Sequence, residues 1–308
     1  MNLYELRRDM DCLAWSTWLD YQDGFWLGLE PGEESVTDRV LLELQRDHPE
    51  NLHVNRYTRT KENEVGADWE WLIGNDDQGW LCLRVQAKRI HHWTYRMLGH
   101  EGAREDELQY DTLIRECRKD RAFPYHVFYN GWEPGRFKPK GLPADVAAWQ
   151  SNRWWARYKE TKEYWGCAAL SSYQVAALHS RTSRSKRNYA PMYLEHAMPW
   201  SALFVTGAPT STLETPLDLV EKHLIRTTVD GFESYSGDGA PHDLRAGWRR
   251  DRLPPYAEAV RAGRATSGLD EVRENRIPPP AHVVVVATID SSFPRPRRPR
   301  KRIARLLP

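Results

Sequence analysis

The run Gly74-Asn75-Asp76-Asp77-Gln78-Gly79 obliges the chain to reverse direction. Glycine takes positive φ angles without steric cost, and Asn and Asp side chains close local turns with their own oxygens. The flanks alternate as half-buried strands do. Ala67, Trp69, Trp71 and Ile73 interleave with Asp68, Glu70 and Leu72, while Leu81, Leu83, Val85 and Ala87 interleave with Cys82, Arg84, Gln86 and Lys88. Each strand therefore has one apolar face and one mostly polar face. A turn centred near Asp77 sets Asp68 opposite Gln86, and Lys88 follows on the same face because strand side chains repeat every two residues. A slip of one residue would separate them, so register decides whether these groups meet.

Asp68, Gln86 and Lys88 resemble the motif of the PD-(D/E)XK nuclease superfamily, in the variant whose second acidic position is glutamine, as in Mrr-like restriction enzymes. Asp68 matches the aspartate, Gln86 the acid-or-glutamine position and Lys88 the lysine. With Glu34-Ser35-Val36-Thr37-Asp38 on a leading helix, Gly-Ala-Asp-Trp-Glu-Trp and Gln-Ala-Lys, the pattern is also similar to an uncharacterised bacterial family assigned to that superfamily. The resemblance runs from about Glu33 to Asn130, with a weaker echo from Gly166 to Phe204. It implies an α/β fold with a restriction-endonuclease-like core, a mixed central sheet flanked by helices, and a C-terminal elaboration.

The chemistry explains the residue types. Hydrolysing a phosphodiester requires neutralising charge on the phosphoryl oxygens and making water nucleophilic near neutral pH, and a hard divalent cation, Mg2+ or Mn2+, does both. Asp68 is the expected central ligand, with Gln86 adding its amide oxygen, or the next peptide carbonyl at Ala87, as a neutral second ligand. Lys88 orients the water and stabilises negative charge as a compact cation. Glutamine in place of a carboxylate leaves the site one negative charge short, which brings in Glu34 and Glu70. Glu70 shares the face of Asp68, although Arg84 stands as its cross-strand partner and an ion pair is the plain alternative. Glu34 opens a helix from Glu33 to about Leu44 with the apolar stripe Val36, Val40, Leu41 and Leu44. The resemblance favours Glu34 over Glu33 as the completing ligand, while the helix dipole would favour an acid there in any case. The plain alternative for the whole constellation is an amphipathic hairpin with a solvated charged face.

Beyond Lys88, a helix containing Leu108, Leu113 and Ile114 precedes the strand Tyr125–Tyr129, which makes a crossover to a parallel strand. His91 and His92 point to opposite faces and do not suit one ion; His126 and His196 are isolated, with packing or surface roles expected. The segment from Asp145 to Trp165 interleaves Trp and basic residues, either to stack on bases or to pack against the sheet. Gly166 to Leu178 reads as a buried strand or helix. The loop from Ser180 to Asn188 carries Arg181, Arg184, Lys186 and Arg187, which suit a phosphate backbone. Ser201–Gly207 and Val283–Ile289 read as strands, with an irregular layer or an insertion shaping a cleft over residues 208–280.

The chain has 308 residues and 40% hydrophobic content, enough for one large domain. We expect a nuclease core over 1–130, a continuation of the same domain over 131–290 and a basic disordered tail over 291–308. That tail holds seven Arg and Lys and no acid, so the formal charge of +1 becomes −6 without it. Four separated cysteines form no zinc or disulfide framework. With no apolar span, no membrane association and a cytoplasmic location are expected. The expected function is a metal-dependent endonuclease acting on DNA, in restriction or phage defence, as a homodimer or with a defence partner. The alternatives are an RNase using the same site, and a non-catalytic nucleic-acid- or protein-binding member of the same fold.

Overall fold

Turn chemistry sets the centre of the molecule. In the computed structural model, which describes residues 1–56, 66–91, 93–96, 98–99, 107–131, 162–204, 214–263 and 282–288, the Asn75 side-chain oxygen accepts from the backbone N–H of Asp77 at 3.1 Å and of Gln78 at 2.7 Å. Gly74 has φ 157°, and a Cβ there would lie 2.0 Å from the Gly79 carbonyl oxygen. No other residue fits that corner.

The elements in chain order are α1 (Leu3–Leu27), α2 (Glu33–Asp47), β1 (Leu52–Arg56), β2 (Trp69–Asn75), β3 (Gly79–His91), β4 (Thr94–Tyr95), α3 (Gln109–Lys119), β5 (Phe123–Tyr129), β6 (Cys167–Ser171), α4 (Ser172–Arg181), β7 (Met198–Pro199), α5 (Pro216–Ser236), α6 (Pro255–Arg261) and β8 (His282–Ala287). The fold is mixed α/β. Its eight-stranded mixed sheet has the order β1-β8-β2-β3-β5-β6-β7, with β4 pairing on the far end of β3. Pairing is antiparallel except between β8 and β2 and between β3 and β5, where it is parallel. The second of these parallel pairs is joined through α3, the crossover expected from sequence.

Both faces of the sheet are covered. Trp69, Trp71 and Ile73 of β2, with Leu81, Leu83 and Val85 of β3, share one core with Leu6, Met10 and Trp18 of α1 and Val36, Val40 and Leu44 of α2. On the other face Leu72, Cys82, Val283 and Val285 meet Leu113 and Cys117 of α3 and Ala257 and Val260 of α6. The polar face of the hairpin is consequently not solvated: Glu70, Arg84, Gln86 and Lys88 are all buried.

One expectation changes and two resolve. Residues 201–204 belong to a 3-10 turn, Trp200–Phe204, and not to a strand. The segment beginning at Cys167 is both a strand and, from Ser172, a helix. The late valine-rich strand enters the middle of the sheet between β1 and β2. Strands β6, β7 and β8 thus share one sheet with the first 130 residues. The cysteines at 12, 82, 117 and 167 are free, and among the described residues no helix is long and apolar enough to cross a membrane. The aromatic and basic stretch is described only from Lys162, where Trp165 is buried; the tail lies outside the described residues.

Candidate active site

Gly66 brings the chain to Asp68. Its φ is 69°, and a Cβ would stand 2.9 Å from both the Gln109 carbonyl oxygen and the Leu113 nitrogen of α3, so only glycine allows this close approach in a left-handed conformation. Asp68 is then held on three sides. Its N–H donates to Val85 O at 2.8 Å, its carbonyl accepts from His282 N–H at 3.1 Å, and its Oδ2 accepts from Ala87 N–H at 2.5 Å. Such a short charge-assisted bond anchors the carboxylate against β3.

The register matches the turn. Trp69 faces Val85 and Asn75 faces Gly79, so Asp68 stands opposite Gln86, with Lys88 two residues on along the same face. Gln86 is 1% exposed, and neither its amide oxygen nor its amide nitrogen has a hydrogen-bond partner. A buried polar group left so costs about 1–3 kcal/mol, a strain that a bound ion or water would relieve. One carboxylate and one neutral oxygen, partly desolvated, suit a hard divalent cation that keeps much of its water. Among the described residues no group of three or more His, Cys, Asp and Glu is placed to hold a metal, so any site here depends on the amide.

Lys88 is anchored by α2. Its Nζ lies 3.8 Å from Glu33 Oε1, and the other Glu33 oxygen accepts from Arg89 N–H at 3.0 Å. The helix residue that meets Lys88 is Glu33, whereas Glu34 is exposed. Glu33 precedes the buried Val36 and Thr37 by one turn and so points toward the sheet. The apolar stripe carried that signal. Glu70 takes the ion-pair alternative: Oε2 accepts from Arg84 Nε at 2.8 Å and Oε1 from Tyr256 O–H at 2.6 Å, so its carboxylate is committed away from Asp68. Beside Lys88, Glu30 accepts from Arg89 Nη1 and lies against His91 Nδ1, both at 3.2 Å. His92 lies outside the described residues, and His196 is exposed.

His126 is the residue that sequence patterning undervalued. It pairs with Gln86 across the parallel β3–β5 ladder, is fully buried, and leaves Nε2 unpartnered while Nδ1 lies 2.9 Å from Ser172 Oγ. Burial, with the Lys88 charge adding to it, pushes the imidazole down to about 3, so the ring is neutral. A lone polar residue within Phe123–Tyr129 was visible; its level on the sheet was not.

Residues 6–292 match the model of a protein family. The chain belongs to a family of unknown function, DUF6615. A comparison with functionally curated proteins finds none that matches. The DUF6615 match runs from within α1 past β8, and so takes in all eight strands.

In this DUF6615 protein the basic loop lies at the same end of β3 as Lys88. Ile90 and His91 pair with Tyr95 and Thr94, Tyr95 N–H donates to Asn188 O at 2.8 Å, and Thr94 bridges to Tyr189. Arg184 and Lys186 are exposed on that loop. Arg181 is tied to the Ser234 carbonyl and Arg187 to the Thr182 carbonyl at 3.1 Å, which positions two of the four cations by the backbone.

Proposed function

We propose that this protein is a metal-dependent nuclease of the PD-(D/E)XK type that hydrolyses phosphodiester bonds, with DNA the favoured substrate. The observation that carries the proposal is the shared level of Asp68 and the unpartnered Gln86 amide, with buried Lys88 next on the same face. The order α2, β1, β2, β3, α3, β5 supports a restriction-endonuclease-like core, into which β8 is inserted. A role in restriction or phage defence, in the cytoplasm, alone as a homodimer or with a partner, follows from the resemblance to Mrr-like enzymes and not from the site's chemistry.

Asp68 and the Gln86 oxygen would hold Mg2+ or Mn2+. Such an ion, when bound, neutralises phosphoryl charge and lowers the pKa of its water. Lys88, beside Glu33, would stabilise charge on a non-bridging phosphoryl oxygen and orient the attacking water. As the water oxygen loses a proton to solvent and forms its bond to phosphorus, the ester bond opposite breaks and the leaving oxygen takes up a proton from solvent. Exposed Arg184 and Lys186 attract the flanking backbone without reading sequence.

Purified protein with Mg2+ or Mn2+ should nick or degrade DNA, and matched RNA serves to separate the ribonuclease alternative. Asp68→Ala and Lys88→Ala should each reduce the rate by on the order of a hundredfold or more; activity surviving in both would falsify the assignment. The position of the basic loop also favours a second reading, a non-catalytic nucleic-acid binder. It predicts metal-independent, salt-sensitive binding whose log–log salt slope drops by about 2 in the Arg184→Ala, Lys186→Ala double variant.

A further inference from the structure

Gln86 and His126 pair across β3 and β5 with their side chains on one face, and Asp68, the residue before β2, continues the register to the level of Gln86. Two features set His126 apart from a histidine that merely fills a core. Its Nε2 is fully buried without a hydrogen-bond partner, and its neighbour in the row, Gln86, has both amide atoms in the same condition. Two adjacent buried side chains that do not satisfy one another are both open to a partner that accepts lone pairs. The Nδ1 side of the ring is held at 2.9 Å by Ser172 Oγ, at the start of α4. When that contact is Nδ1–H donating to the hydroxyl, Nε2 presents its lone pair to the row. Fixing one ring nitrogen through a hydrogen bond is how proteins orient a ligating imidazole.

We infer that His126 Nε2 is a third ligand, beside Asp68 and Gln86, to the divalent ion of this site, and that the site consequently prefers Mn2+ to Mg2+. The inference rests on the nuclease proposal for the identity of the site and adds to it a ligand that the motif lacks. Its chemical basis is the donor set. Mg2+ favours oxygen ligands in a near-ideal octahedron and gives up water reluctantly, whereas imidazole nitrogen suits transition-metal ions. A neutral nitrogen also fits a site in which glutamine already replaces a carboxylate.

The decisive measurement is pulsed EPR of the full-length protein with one equivalent of Mn2+ and no nucleic acid. The expected result is nitrogen modulation from a directly bound imidazole, absent in His126→Ala, with the Mn2+ dissociation constant raised on the order of tenfold or more. Ser172→Ala keeps the ring and removes only its Nδ1 partner, so it should weaken Mn2+ binding by a smaller factor with the modulation retained. Circular dichroism of each variant establishes folding, and the wild-type spectrum alone tests the ligand if His126→Ala does not fold. Mn2+ bound in an Asp68-dependent manner without nitrogen modulation, or with modulation that persists in folded His126→Ala, overturns the inference and leaves the nuclease proposal standing. No Mn2+ binding at all overturns both.

Discussion

Arg84 is buried between two carboxylates. Its Nε meets Glu70 at 2.8 Å, and its Nη1 lies 2.5 Å from Asp120 Oδ2 as an ion pair without hydrogen-bond alignment. Burial alone would raise the Glu70 carboxyl, but the charges of Arg84 and Arg250 and the hydrogen bonds from Tyr256 and Arg84 outweigh it and hold the group below the ordinary glutamate range. A depressed carboxyl contributes stability above its unfolded pKa, near the ordinary 4.5, and that contribution is lost as pH falls through the lower folded value. Urea midpoints measured from pH 7 down to about pH 3 should therefore fall, and fall less steeply in Glu70→Gln. Arg84→Met, which strands both carboxylates, should cost about 3–5 kcal/mol at neutral pH. On the proposed nuclease reading the neighbouring glutamates part company: Glu33→Ala frees Lys88 and should slow cleavage about tenfold, equivalent to about 1.4 kcal/mol, whereas Glu34→Ala should leave kcat and KM unchanged. Equal losses in the two variants would contradict the placement of α2.

At the scale of elements, the hairpin was legible because its register is a local matter: the Asn75 side chain and Gly74 fix a turn centred on Asp77, and every pairing outward follows. Helix α2 was legible from its apolar stripe, and the same stripe distinguishes Glu33 from Glu34. Helix α1, which shows buried Leu3, Leu6, Met10, Leu13 and Trp18 at helical spacing, passed without notice in a segment conspicuous for its charges. The 3-10 turn at Trp200–Phe204 has the composition of a strand but lies fully buried against α1, where Trp200 Nε1 donates to Met10 O at 2.8 Å. Tertiary contact overrode propensity there. The entry into β2 hinges on Gly66. Gly66→Ala would push a methyl group into α3 at a positive φ, and should destabilise the fold by about 1–3 kcal/mol. Mn2+ binding should weaken in step, since Asp68 follows two residues later; a midpoint shift in denaturant with unchanged m value is the measurement.

At the scale of the molecule, β8 ties the C-terminal part of the described chain to its first strands. It lies in the sheet between β1 and β2, and its Val284 and Val286 belong to the main core. Val284→Ala or Val286→Ala should each lower stability by about 2 kcal/mol; an unchanged melting temperature in both would mean that β8 does not sit in the sheet. By itself the sequence determined the hairpin, its register, the shared face of Asp68, Gln86 and Lys88, and the crossover to β5, because each depends on turn chemistry or periodicity within a short span. Only the tertiary structure decided that Glu70, Arg84, Gln86 and Lys88 are buried, that Glu70 is committed to Arg84, that β8 enters mid-sheet, and that His126 stands level with Gln86. The offset between strands separated by tens or hundreds of residues is chosen by packing over the whole sheet, and no local run of side chains encodes it.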